Sequence, residues 1–234
     1  MIEPFFRKYY FSQMMRLPLL FLGLAMCLLQ FCHAQLQYEF DTVLRYESEQ
    51  QGTEASSGTR IILANSGDNS IIARVDTSEQ KSNRIEFRDN NLLTASATVS
   101  KFIYSSGVDV VVKCEDVKKW DPYFMERPMD YNHFVTDTVI KAKRVKKITI
   151  LNTNEVDQSF AKKIYVFDYN YPDHMPPFLD PDTYEYWFET RFTDSGLVLS
   201  KTVLDKNAAI ISRFTLAEVK QVKRKLVIPK KCQI

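Results

Sequence analysis

Apolar and polar positions alternate along much of this chain, most clearly near its end. From Tyr184 the order is Tyr-Glu-Tyr-Trp-Phe-Glu-Thr-Arg-Phe, so Tyr184, Tyr186, Phe188 and Phe192 share one parity while Glu185, Glu189 and Arg191 take the other. A period of two predicts a strand with one buried face, whereas a helix would spread these rings around its circumference. Burying each ring contributes about 1.5–3 kcal/mol, against a span of about 1 kcal/mol for strand propensity, so the pattern decides. Asp194-Ser195-Gly196 supplies a turn in which Gly196 can take positive φ without strain. A second strand follows over residues 197–204. A third covers 208–222, bent or bulged midway because Val219 and Val222 leave the parity of Ile210, Phe214 and Leu216.

The same rhythm predicts strands at 36–47, 60–64, 70–76, 84–88, 92–99, 108–114, 134–143, 145–152 and 163–169, separated by clusters of Asn, Asp, Ser and Gly. Residues 118–134 break it with Trp120, Pro122, Tyr123, Phe124, Met125, Pro128 and Met129, too apolar for a solvated loop. Residues 154–160 suit a helical turn, and 171–182, with four prolines, a rigid loop. The fold class expected is mainly β with little helix: about ten to twelve strands at spacings of a sandwich, a barrel or a strongly curved sheet, with an antiparallel, strongly curved sheet or half-open barrel favoured.

The first residues read as an address. Arg7, Lys8 and Arg16 precede an uncharged run over 17–32, which Ala34 closes. A basic start, an apolar centre and a small residue at the end describe a secretory signal peptide, with cleavage between Ala34 and Gln35. The run is shorter than the roughly 20 residues of a membrane span and is broken by Pro18 and Gly23, so the cleaved protein is not expected to be integral to a membrane. Cleavage leaves residues 35–234 as one exported β domain, periplasmic, outer-membrane-associated or extracellular. It removes Glu3 and three of the 31 basic residues, leaving 28 basic against 28 of the 29 acidic, so no net charge draws the domain to nucleic acid. Export also gives Cys114 and Cys232 two fates: a disulfide tying the C-terminus to the middle of the chain, or two free thiols.

Over residues 134–229 the chain resembles periplasmic lipoprotein carriers of the LolA and LolB kind and related exported proteins. The resemblance rests on the strand Gln158-Ser159-Phe160-Ala161-Lys162-Lys163-Ile164-Tyr165-Val166, the Trp-bearing Tyr186-Trp187-Phe188, then Gly196-Leu197-Val198-Leu199-Ser200-Lys201, and the ending Leu226-Val227-Ile228-Pro229. It implies an open, half-closed barrel that binds acyl chains.

Candidate chemistry is sparse. The inventory Cys114, Cys232, His133 and His174 lacks the close ligand pairs of zinc sites. Asp168, Asp173, Asp180, Asp182 and Glu185 surround the proline-rich loop without the glycine-turned spacing of a calcium loop, and read as a solvated acidic loop. Glu185 and Glu189 read as the wet face of their strand rather than a glycosidase pair. Gly-x-Ser-x-Gly, His-Glu-x-x-His and phosphate-binding glycine loops do not occur. The basic stretches 141–147 and 220–231 read as strand edges shielded by lysine. No cofactor or metal is expected. The expected role is a non-enzymatic exported protein binding acyl chains or another envelope lipid or protein, with Tyr184, Tyr186, Phe188 and Phe192 lining an apolar cavity. Two other roles stay open. One is a packed structural or adhesive surface module. The other is a hydrolase in which Asp173 and Asp180 converge with His133 or His174.

Overall fold

The computed structural model describes residues 35–51, 56–77, 80–120, 130–154 and 159–232. The expected leader at 1–34, residues 121–129 of the irregular stretch and 155–158 of the expected helical turn lie outside them. Among the described residues the chain forms β1 (Leu36–Gln50), β2 (Ser56–Asn65), β3 (Asp68–Asp76), β4 (Ser82–Asp89), β5 (Leu93–Ser100), α1 (Lys101–Ser106), β6 (Val110–Val111), β7 (Val117–Lys119), β8 (Tyr131–Ile140), β9 (Lys143–Asn152), β10 (Lys162–Asp168), α2 (Pro181–Thr190), β11 (Leu197–Leu204) and β12 (Ile210–Ile228). The strands join into one curled sheet in the order β7-β5-β4-β3-β2-β1-β12-β11-β10-β9-β8, which does not close into a barrel. Every neighbour in that order is antiparallel, and β6 adds a short parallel pairing to β12. No helix among the described residues is long and apolar enough to cross a membrane.

The sheet is two wings joined at a seam of its longest strands, β1 and β12. One wing is β2–β5 with β7; the other is β8–β11. Two register shifts along the seam, between Phe40 and Thr42 and between Arg45 and Tyr46, each place an extra residue in β12. These are the bends expected from the broken alternation at Val219 and Val222.

Strand parity explains how the first wing packs. Odd positions form ladders such as Leu63–Ala73–Phe87–Ala95 and Ile61–Val75–Ile85–Ala97. Most of these are buried with Tyr38, Phe40, Val110, Val112, Leu226 and Ile228. Even positions form ladders such as Ile62–Arg74–Glu86–Ser96 and Ala64–Ile72–Arg88–Thr94 on the opposite face. That second face is continuous across the seam with the one that carries α2, and is called the inner face below. A cluster of Leu44, Tyr46, Ile62, Ala64, Ile72, Leu197 and Phe214 fills its middle, where the Tyr46 hydroxyl donates to the Val198 carbonyl at 2.9 Å.

Three sequence expectations need correction. The stretch expected as a strand through Tyr184, Tyr186, Phe188 and Phe192 is mostly α2. Proline at the first helical position starts the helix, and Arg191 ends it in the left-handed conformation (φ 49°), its N–H returning to the Trp187 carbonyl. Thr183, Tyr184, Tyr186 and Trp187 are buried; at 100° per residue they span an arc of about 160°. The ring parity that suggested a strand therefore coincides with part of a helical stripe. Second, the strand expected over 108–114 shrinks to β6, followed by a single 3-10 turn at Cys114–Asp116. Third, the lysine-rich stretches are not edges. β12 is central and β9 is one strand inside, whereas the edges are β7 and β8.

Candidate functional site

A cavity of about 410 Å³ opens where the first wing's inner face meets the N-terminal end of α2. Its floor is the even-numbered face of β2–β5. Its far wall is Leu179, Asp180 and Pro181 at the start of the helix, with Lys201 of β11 and Phe214 of β12 at the seam. Ile62, Ile72, Trp120, Leu179 and Phe214 give it a hydrocarbon lining between charged groups.

The helix is anchored there by a buried ionic knot. The Asp180 carboxylate occupies the N-cap position without capping the helix backbone. It pairs instead with Lys201 and with Lys163 at 3.5 Å, and accepts from the Tyr165 hydroxyl at 3.1 Å. Lys163 also pairs with Asp182, so two lysines face two aspartates in a neutral cluster. Register explains the convergence: Tyr165 lies opposite Lys201 on the inner face and Lys163 is two residues along. Burial works against the ionised Asp180. The Lys201 and Lys163 cations and two hydrogen bonds outweigh it, and hold the carboxyl well below the usual carboxylate range. Burial pushes the Lys201 ammonium down, with Asp180 opposing and Lys163 adding to the shift.

The arginines of the floor are individually positioned. Arg88 donates through one nitrogen to the carbonyls of Phe178 and Leu179 at 3.3 and 3.4 Å. Burial lowers its pKa against the pull of Asp180, Asp182 and Glu185. Arg60 lies over the Phe214 ring, 4.8 Å from its centroid. Burial and then Arg74 lower its pKa, with Asp180 opposing. Arg74 and Arg84 both pair with Glu86.

The rings expected to line a cavity sit elsewhere. Tyr184, Tyr186 and Phe192 pack with Ile148, Ile150, Tyr165, Phe167, Phe178 and Trp187 between α2 and the second wing. Phe188 is 54% exposed, with the Arg191 guanidinium over its ring. None of the four borders the 410 Å³ cavity. His133 hydrogen-bonds the Tyr186 hydroxyl at 2.8 Å. Asp180 pairs with the lysines, His133 with the Tyr186 hydroxyl, and the His174 ring packs edge-on against Tyr171, so none of these contacts assembles the expected hydrolase grouping of Asp173 and Asp180 with His133 or His174. Among the described residues no group of three or more His, Cys, Asp or Glu side chains is arranged to hold a metal ion. Cys114 and Cys232 are joined by a disulfide across 118 positions, next to the buried face of the first wing. Sequence reasoning missed the arginines of the floor. Their signal was present in parity, since Arg60, Arg74, Arg84 and Arg88 are all even-numbered and fall on one face once the strands are paired.

No family model matches the chain, and no curated protein does. Among solved structures it is similar to MucB of Pseudomonas aeruginosa in complex with MucA, at 10% identity and a TM-score of 0.39 over 77% of this chain. The chain spans about half the length of the MucB chain, 51% of it. It is also similar to an outer membrane lipoprotein-sorting protein domain from Vibrio parahaemolyticus (7% identity, TM-score 0.32, 78% of this chain and 85% of that one). A LolA superfamily protein from Nitrosomonas europaea gives 9% identity and a TM-score of 0.24, over 78% of this chain and 85% of that one. Likeness at these values describes strand arrangement and decides neither a ligand nor a role.

Proposed function

We propose that this is a non-enzymatic binding protein of the cell envelope, exported by a leader at 1–34, which holds an amphipathic ligand between α2 and the inner face of β2–β5. The cavity carries this reading. Its volume of about 410 Å³ falls in the roughly 300–1,000 Å³ range of small-ligand sites, and it combines hydrocarbon walls with a few fixed charges, as such sites do. The acidic groups at its wall support binding over hydrolysis. Glu86 is shared by two arginines, and Asp180 is held ionised by two lysines, so Asp180 is not poised to take or give a proton near neutral pH. The ligand class is an acyl chain or another envelope lipid.

The test is solvent extraction of the purified protein followed by mass spectrometry, with native mass spectrometry of the intact complex. A lipid-like species near one equivalent is expected. A protein that arrives empty and also fails to take up a fluorescent fatty acid overturns the reading. One observation favours a surface module instead: β8, an edge strand, exposes Phe134, Val135, Val139 and Ile140. That alternative requires a specific protein partner and an empty cavity in the same extraction.

A further inference from the structure

The cavity's charge is unbalanced in a particular place. Six cationic side chains line it, Arg60, Arg74, Arg84, Arg88, Lys118 and Lys201, against three acidic ones, Glu86, Asp116 and Asp180. Glu86 is used by Arg74 and Arg84, and Asp180 by Lys201. Arg60, Arg88 and Lys118 form no ion pair among the described residues. Arg60 and Arg88 are nonetheless fixed, one on an aromatic ring and the other on two backbone carbonyls. Two buried donors at the cavity, Arg88 Nε and Trp120 Nε1, have no hydrogen-bond partner among the described residues. Repulsion among like charges in a partly water-shielded space costs free energy unless an anion offsets it. Guanidinium forks match the paired oxygens of phosphoryl and carboxylate groups, and these charge-assisted contacts are about twice as strong as neutral ones.

We propose that Arg88 and Lys118, on one ladder with Thr94 between them, form with the Trp120 indole N–H an oxyanion site, which takes the phosphoryl or carboxylate head of an amphipathic ligand while Ile62, Ile72 and Leu179 meet its hydrocarbon part. The inference rests on the binding role proposed above and specifies its ligand. The two head groups present the same oxygen geometry to Arg88 and Lys118, so the experiment separates them. Trp120 lies at the cavity and Trp187 is buried beneath α2, so a tryptophan emission change that is absent in Trp120→Phe reports occupancy.

The full chain is titrated, below micellar concentrations, with dodecyl phosphate, laurate and monolauroylglycerol, and separately with inorganic phosphate. The first two are expected to bind at least about tenfold more tightly than the neutral glyceride, the scale of one charge-assisted contact. Arg88→Gln and Lys118→Gln should each weaken the anions by about tenfold, leave the glyceride unchanged, and reduce the salt dependence of anion binding. Lys118 is exposed at the rim, so its variant keeps the test open should an arginine variant fold poorly. The ratio of dodecyl phosphate to laurate affinity identifies the head group, and displacement of dodecyl phosphate by inorganic phosphate supports the phosphoryl form. Equal affinity for all three amphiphiles, or equal loss for all three in Lys118→Gln, overturns the oxyanion site and leaves the binding role standing. Failure of both anions to bind also overturns it, and the extraction experiment then decides the binding role separately.

Discussion

Asp180 shows at the scale of one residue what the sequence could and could not reveal. In the sequence it read as one acid of a solvated, proline-rich loop; the lysines that occupy it come from β10 and β11, and only the register of those strands brings them together. Removing one member of a buried ionic cluster leaves charge uncompensated, which costs about 3–5 kcal/mol. Asp180→Asn is therefore expected to lose that much stability in urea denaturation at neutral pH. The pH dependence follows from the direction of the shift. The folded carboxyl lies below its ordinary value of 3.8, so its contribution is complete above that value and is lost as pH falls through the folded pKa. Wild-type stability should start to fall as pH drops below about 4, and the Asn variant should show a shallower drop; parallel curves would refute the assignment. Gly196 was legible for the opposite reason: its constraint is local. It takes φ 122°, and a Cβ there would stand 3.2 Å from the Asp168 carbonyl oxygen.

Among the elements, α2 is where sequence reasoning failed, and the failure has a physical cause. Four rings at even positions satisfy a strand pattern only if Trp187 is set aside, and the loop expected over 171–182 gave no weight to Pro181, which the structure makes the first helical residue. The structure buries Trp187, whose indole N–H donates to the Thr193 carbonyl, and exposes Phe188. The two arrangements make opposite demands. Trp187→Ala is expected to cost about 3–5 kcal/mol, and Phe188→Ala about 0.5 kcal/mol or less, both read from chemical denaturation midpoints. The reverse ranking would restore the strand. The β8–β9 pair was expected, but its turn was misplaced. Its turn residues, Lys141 and Ala142, both take positive φ, at 50° and 63°, where Asn-Gly would have announced it.

At the scale of the whole molecule, alternation was enough for about a dozen short strands and a bent β12, because period two is a property of each strand separately; the curled sheet came from the likeness of strand order to the lipoprotein carriers. The cavity was not legible, since it is made of four strands' even faces and a helix end. The Cys114–Cys232 disulfide closes 118 positions, and loss of such a link typically costs about 2–5 kcal/mol. Cys114→Ser with Cys232→Ser is expected to lower stability by that amount, and wild type measured with reductant should match the variant. The seam has a kinetic consequence. Leu36 pairs with Ile228 and Gln50 with Ser212, so the two wings can assemble from neighbouring hairpins while their union waits for segments from opposite ends of the sequence to meet. Such distant pairing is slow. Arg60 and Phe214 come from opposite sides of that junction, so capacity to accept a guest should emerge during refolding after most strand signal has already returned.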